Sequence, residues 1–349
     1  MILRAMLYAF FSIFLSAINC TTELLDESIT PYKFKDSSEL APSTYKIPKQ
    51  SIHTIQRSEI SAPSITYYVS TPTAKKYPLA ILFTGSSSYQ NVSSSIHIHR
   101  YFLQEFMDLQ CGVLSIEQWG IDSTTINKQD FFNHYTRSQR LSDAKTVIQH
   151  LINNPPLNWN GLFIFLGISE GGPIVTQLAQ DFNAYTLATI NWCGAGDWKW
   201  NNELWTFIKF FRKNNYWLFL LLDACGGWMP FVPDIPKTRK KFDSIMQKIE
   251  TNPSYNKWFM GMTYAYHYDA QHFPCIEYTK ITQPFLVVSG GQDPNIESCN
   301  SFVSKALTAK VPLTYFYVPE MDHYIRHRPD IIKKSFDWLE QVLVTNNNF

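Results

Sequence analysis

The sequence has no C-x-x-C pair, no H-E-x-x-H and no grouping of cysteine and histidine at metal-ligand spacing. Its six cysteines stand apart, at 20, 111, 193, 225, 275 and 299, so a zinc site is not expected. Charge is scarce: Asp, Glu, Lys and Arg make up 17% of the chain, where about a quarter is usual. The net charge is only +1 and no long basic block occurs, so electrostatics gives no reason to expect nucleic acid as a partner. No repeat at solenoid periods is visible, which excludes a stacked array. No histidine is followed five positions later by aspartate, which one acyltransferase class requires.

What the chain does have is grease. Hydrophobic residues reach 45% and aromatics 15% of 349 residues, enough to bury a substantial core. The first 20 residues read as an export signal: Arg4 gives a short positive end, Ala5 to Leu15 an apolar stretch too short for a comfortable membrane span, and Ser16 and Ala17 small residues near a cleavage point. Cys20 follows directly and is a candidate for lipid attachment, although Asn19 stands where a small residue is expected. Export would permit disulfides, and Cys225 with Cys275 is a conceivable pair whose connectivity the sequence does not establish. Residues 21–49 are polar, carry Pro31, Pro42 and Pro48, and read as an arm or linker.

From about residue 50 to the end a single α/β domain is expected. Short β-rich runs come first, "SIHTIQ" and "SITYYVS"; then "LAILF" at 79–83, apolar throughout as a strand covered on both faces must be. Strand and helix patterns then alternate: "SSSIHIHRYFLQEFMDLQ", with Ile96, Tyr101, Phe102, Phe106 and Leu109 near helical spacing, then "GVLSIE", "LSDAKTVIQHLINN", "GLFIFLGIS", "GGPIVTQLAQDF", "YTLATINWC", "PFLVVSG", "SCNSFVSKALTAK", "LTYFYVP" and "PDIIKKSFDWLEQVLV". Such alternation argues for a mostly parallel sheet with helices on both faces. His97 and His99 alternate as strand or loop residues do and have no third ligand, so they read as structural.

One junction stands out. "FLGISEGGPIV" sets Gly167 and Gly171 two positions either side of Ser169, where a buried strand ends and a helix opens. A turn tight enough to lift a serine hydroxyl clear of a sheet leaves no room for side chains at the flanking positions, and glycine meets that demand. With this strand–turn–helix, the chain resembles the α/β-hydrolase family, over roughly residues 50–345. The resemblance implies an acid and a base in chain order after later strands. Asp293 in "GQDPNI" follows "FLVVSG", and His323 in "EMDHYI" follows "LTYFYVP". Asp197 in "CGAGD" is the alternative acid, and His327 is close enough in sequence to share the neighbourhood of His323. The resemblance also implies an oxyanion hole from two backbone amides, that of Glu170 directly after the serine and that of Ser86 in "TGSSSYQ". Many relatives carry His-Gly in that second loop; here it is Thr84-Gly85, which leaves open what braces the loop from behind.

From Asp197 to Gln283 the chain holds 20 of its 54 aromatics, where about 13 would fall by even spreading. The resemblance implies that an insertion here forms a helical lid over the serine, and an apolar wall suits a hydrophobic acyl group. "WLFLLL" within it is too short to span a bilayer but could dip into a membrane surface. "PKTRKK" reads as a solvated basic face. The expected activity is thus a serine hydrolase of an ester or thioester of a small-molecule or lipid-like acyl substrate, without metal or organic cofactor. A peptidase on the same scaffold and a non-catalytic binding protein are the alternatives.

Overall fold

The structure is a computed structural model, and it describes residues 50–57, 62–88, 91–122, 125–194, 196–215 and 235–346. The export signal, Cys20, the polar arm, "WLFLLL" and Cys225 lie outside these residues, so those expectations are not addressed by it. The sheet and every candidate site residue belong to one compact unit, Pro48–Ser86 with Ser93–Phe349.

Eight strands form the central sheet: β1 (Ser51–Ile55), β2 (Ile65–Ser70), β3 (Tyr77–Phe83), β4 (Gly112–Ile116), β7 (Trp159–Ile168), β8 (Thr186–Trp192), β11 (Phe285–Gly290) and β12 (Leu313–Val318). Their order is β1-β2-β4-β3-β7-β8-β11-β12. Only β2 runs against the others; the six strands from β4 to β12 are parallel. Parallel neighbours need crossovers, and the helices supply them. On one face pack α1 (Ile96–Tyr101), α2 (Leu103–Asp108) and α10 (Pro329–Thr345); on the other pack α4 (Arg137–Asn153) and α5 (Gly171–Asp181). In β3, Ala80 and Leu82 face the first set while Leu79, Ile81 and Phe83 face the second. That two-sided cover is why the run is apolar without alternation. Helix α9 (Ile296–Thr308) packs on the far end through Phe302 against Phe285 and Val287 of β11.

Three small features were not expected from the sequence: the two-residue pairs β5 (Ile121–Asp122) with β6 (Thr125–Ile126) and β9 (Trp258–Phe259) with β10 (Met262–Thr263), and helix α3 (Lys128–His134). The helical spacing from Ile96 to Leu109 agrees with α1 and α2, and the strand-or-loop reading of His97 and His99 is corrected: both lie on helix α1. His99 is buried between Ser70 and Ser115, whose hydroxyls meet its Nε2 at 2.9 Å and its Nδ1 at 3.2 Å, so its role is structural.

The described part of the insertion holds α6 (Trp200–Asn214), α7 (Arg239–Thr251) and α8 (Tyr264–His272). It has its own small core of Leu204, Ile208, Phe242, Ile249 and Phe259, flanked by Trp200 and Trp205. Most of the aromatic surplus in its described part is therefore packing.

Candidate active site

Ser169, Asp293 and His323 all stand just past the carboxyl ends of parallel strands: one residue after β7, three after β11 and five after β12. This is the edge where an open parallel sheet gathers its loops. Ser169 sits at φ +52°, in the left-handed region, with its N–H on Trp192 O and its own carbonyl accepting from Gly172 N–H, each at 2.8 Å. The two glycines are dictated by space. A Cβ on Gly171 would lie 2.5 Å from Phe83 O, and one on Gly167 would run into the Gly171 carbonyl. The serine is left half-buried.

Ser169 Oγ lies 2.8 Å from His323 Nε2, and His323 Nδ1 lies 3.0 Å from each carboxylate oxygen of Asp293. Asp293 is buried, and its Oδ1 also accepts from Asn295 N–H at 2.8 Å. Burial works against the charged form of His323, but the Asp293 carboxylate outweighs it and raises the imidazole above its usual value near 6.5. The alternative acid is held elsewhere. Asp197 takes the Tyr278 hydroxyl at 2.5 Å, Lys305 Nζ at 3.1 Å and the Ser301 hydroxyl. His327 pairs with Asp322 at 2.9 Å, not with Asp293.

The loop after β3 approaches closely: a Cβ on Gly85 would lie 3.2 Å from Ser169 Cβ. Ser86 follows it and is exposed. The amide of Glu170, at the amino end of α5, adjoins the serine itself.

Behind the serine is a group of residues that sequence reading missed. The Glu170 side chain is buried and accepts from Arg140 Nη1 at 2.6 Å, from the Tyr135 hydroxyl at 3.0 Å and from the Tyr266 hydroxyl. Arg140, also buried, donates from Nη2 to Thr84 O at 2.8 Å. Arg137 lies over the Trp200 ring at 4.6 Å, and its charge is felt by the buried Glu203. Two arginines and two glutamates thus share one buried neighbourhood, where an unpaired charge would be costly. A signal was available: Arg137 and Arg140 fall on the same helical spacing as Ala144, Val147 and Leu151, the buried stripe of α4.

No protein-family model matches the sequence, and no curated protein matches it. Solved structures do. A thermostable carboxyl esterase from Bacillus coagulans superposes with a TM-score of 0.56 at 15% identity, covering 86% of this chain and 98% of that one. Alpha/beta hydrolase domain-containing protein 10 from mouse gives 0.51 at 16%, covering 84% and 99%. Est1E from Butyrivibrio proteoclasticus gives 0.51 at 14%, covering 84% and 99%. Identities this low speak to architecture alone, and the architecture agrees with the strand order and the turn at Ser169: this chain has the α/β-hydrolase fold.

Proposed function

We propose that the protein is a serine hydrolase that cleaves a carboxylic ester or thioester of an apolar acyl group. One observation carries the reading: the unbroken hydrogen-bonded chain from Ser169 Oγ through His323 to Asp293. A serine hydroxyl is a poor nucleophile near neutral pH and needs a base, itself oriented by a carboxylate. In this mechanism Ser169 Oγ attacks the acyl carbon as its proton passes to His323 Nε2. The amides of Glu170 and Ser86 hold the oxyanion, and His323 returns the proton to the departing alkoxide or thiolate. Water then attacks the acyl-serine by the same route in reverse, releasing the acid and the free enzyme. The aromatic insertion supplies the apolar wall. The first 20 residues direct export, and contact with a membrane surface belongs to the same reading.

A fluorophosphonate probe and a panel of esters, thioesters and peptide amides test this. The wild type is expected to be labelled and Ser169→Ala to lose both labelling and turnover, about 10³-fold or more in kcat. Each added methylene contributes about 0.8 kcal/mol, so kcat/KM is expected to rise about threefold to fourfold per acyl carbon until the pocket is full. Equal labelling of the two proteins would end the hydrolase reading, and preference for peptide amides would make it a peptidase.

A further inference from the structure

An oxyanion hole consists of two peptide units, and a trans peptide is a rigid plane whose N–H and C=O point opposite ways. Whatever grips the carbonyl therefore aims the amide on the far side. For the peptide joining Ser169 to Glu170, the grip is the Gly172 N–H on Ser169 O at 2.8 Å. For the peptide joining Gly85 to Ser86, the group on the carbonyl side is Arg140, with Nη1 at 3.5 Å from Gly85 O and Nη2 at 2.8 Å from Thr84 O. The same Nη1 donates to Glu170 Oε1 at 2.6 Å. One planar guanidinium thus spans from the loop that carries one amide to the residue that carries the other. Its fork is stiff, so the span is fixed.

The surroundings leave this group little freedom. Arg140 is 8% exposed and Glu170 4%. The remaining bonds to Glu170 come from Tyr135, next to α4, and from Tyr266 on α8 of the insertion. Arg140 meets Thr84 twice from Nη2, at its carbonyl oxygen at 2.8 Å and at its hydroxyl at 3.4 Å.

We propose that Arg140 is a positioning residue for the oxyanion hole: held by Glu170, its guanidinium sets the direction of the Ser86 amide and its separation from the Glu170 amide. This rests on the serine-hydrolase reading of the same site. Arg140 touches no reacting atom, so it acts through the two peptides. Lysine keeps the charge but cannot hold the β3 loop and Glu170 from one rigid plane.

The test compares the full chain with Arg140→Lys, Arg140→Met and the double variant Arg140→Met/Glu170→Gln. The double variant removes both buried charges together and so keeps the question open if a single variant fails to fold. Three quantities are measured: kcat and KM on p-nitrophenyl butyrate, the rate of fluorophosphonate labelling, and Kd for a trifluoromethyl ketone, whose serine adduct carries an oxyanion. Arg140→Lys is expected to lower kcat and labelling rate about tenfold to a hundredfold with KM within about twofold. The ketone Kd is expected to rise by the same factor, while Ki for butyrate, which makes no tetrahedral adduct, stays put. The folded double variant is expected to be as slow as Arg140→Met. An active wild type beside an Arg140→Lys enzyme with unchanged kcat and ketone Kd would overturn the positioning role. So would a slower variant whose ketone affinity did not move, since that marks a merely structural loss. A wild type that neither hydrolyses esters nor takes the probe would instead bring down the hydrolase reading, and this inference with it.

Discussion

In front of Ser169 stand an imidazole and a carboxylate; behind it stand a guanidinium, a carboxylate and two phenols. In front, Asp293 faces His323, a group that gains and loses a proton near neutral pH. Behind, Glu170 faces Arg140, whose charge is opposed by burial but secured by Tyr135 and Glu170, and Tyr266, whose hydroxyl is pushed well above its usual range by burial and then by Glu170. Neither changes charge under working conditions. In the proposed mechanism the same carboxylate chemistry therefore serves as part of a proton relay on one side and as a fixed strut on the other. The partner decides which.

The sharpest way to break this division is to disturb the relay alone. Asp293→Asn keeps the shape but favours the wrong imidazole tautomer, and kcat is expected to fall about 10⁴-fold with KM little changed. Asp197→Asn, which disturbs Tyr278, Ser301 and Lys305, is expected to stay within about threefold. Steady-state kinetics of the two variants decide the matter, and the reverse ranking would move the acid to Asp197. Smaller in size is the pH response. In the proposed mechanism His323 must be neutral to act as base, and Asp293 raises its pKa against the opposing effect of burial. On the acid side kcat/KM is then expected to fall about tenfold per pH unit below a midpoint above 6.5. No second limb from Arg140 or Tyr266 is expected between about pH 5 and 9; a pH–rate profile with one there would show that one of the two titrates. The smallest effect belongs to Tyr266→Phe, which removes one hydrogen bond to a charged group and leaves Arg140 and Tyr135 in place. A loss of about 1.5–3 kcal/mol in urea unfolding, with kcat down about threefold, is expected. No change in either would mean that the insertion does not brace the hole.

The relay was readable in the sequence because each member follows an apolar strand run at a short, fixed offset, and strand runs are local. "LAILF", "GLFIFLGIS", "FLVVSG" and "LTYFYVP" are all strands in the structure, with Ser169, Asp293 and His323 behind them. The strut was not readable, because its bonds join residues 30, 35, 56 and 96 apart and none is implied by local pattern. Half of it was nonetheless visible: two arginines on the buried stripe of α4 demand acidic partners wherever the fold brings them. Helix α3 escaped notice because "KQDFFNH" is too short to show a period. The alternation of His97 and His99 misled for the same reason. Two residues cannot tell a period of two from one turn of helix, and the buried face follows the helical spacing of Ile96, His99, Phe102 and Phe106.

The backbone of Ser169 has one more consequence, for descent. At φ +52° an L-residue is strained and glycine is not. Fold and chemistry therefore select opposite residues at a single position. Glycine would relax the turn by up to about 1 kcal/mol and remove the hydroxyl. A lineage that kept this scaffold only to bind a ligand would gain stability by that one exchange. On the proposed function, serine at 169 is then a marker of use: in any relative, the residue found there records whether the turn is kept under strain for the sake of a reaction.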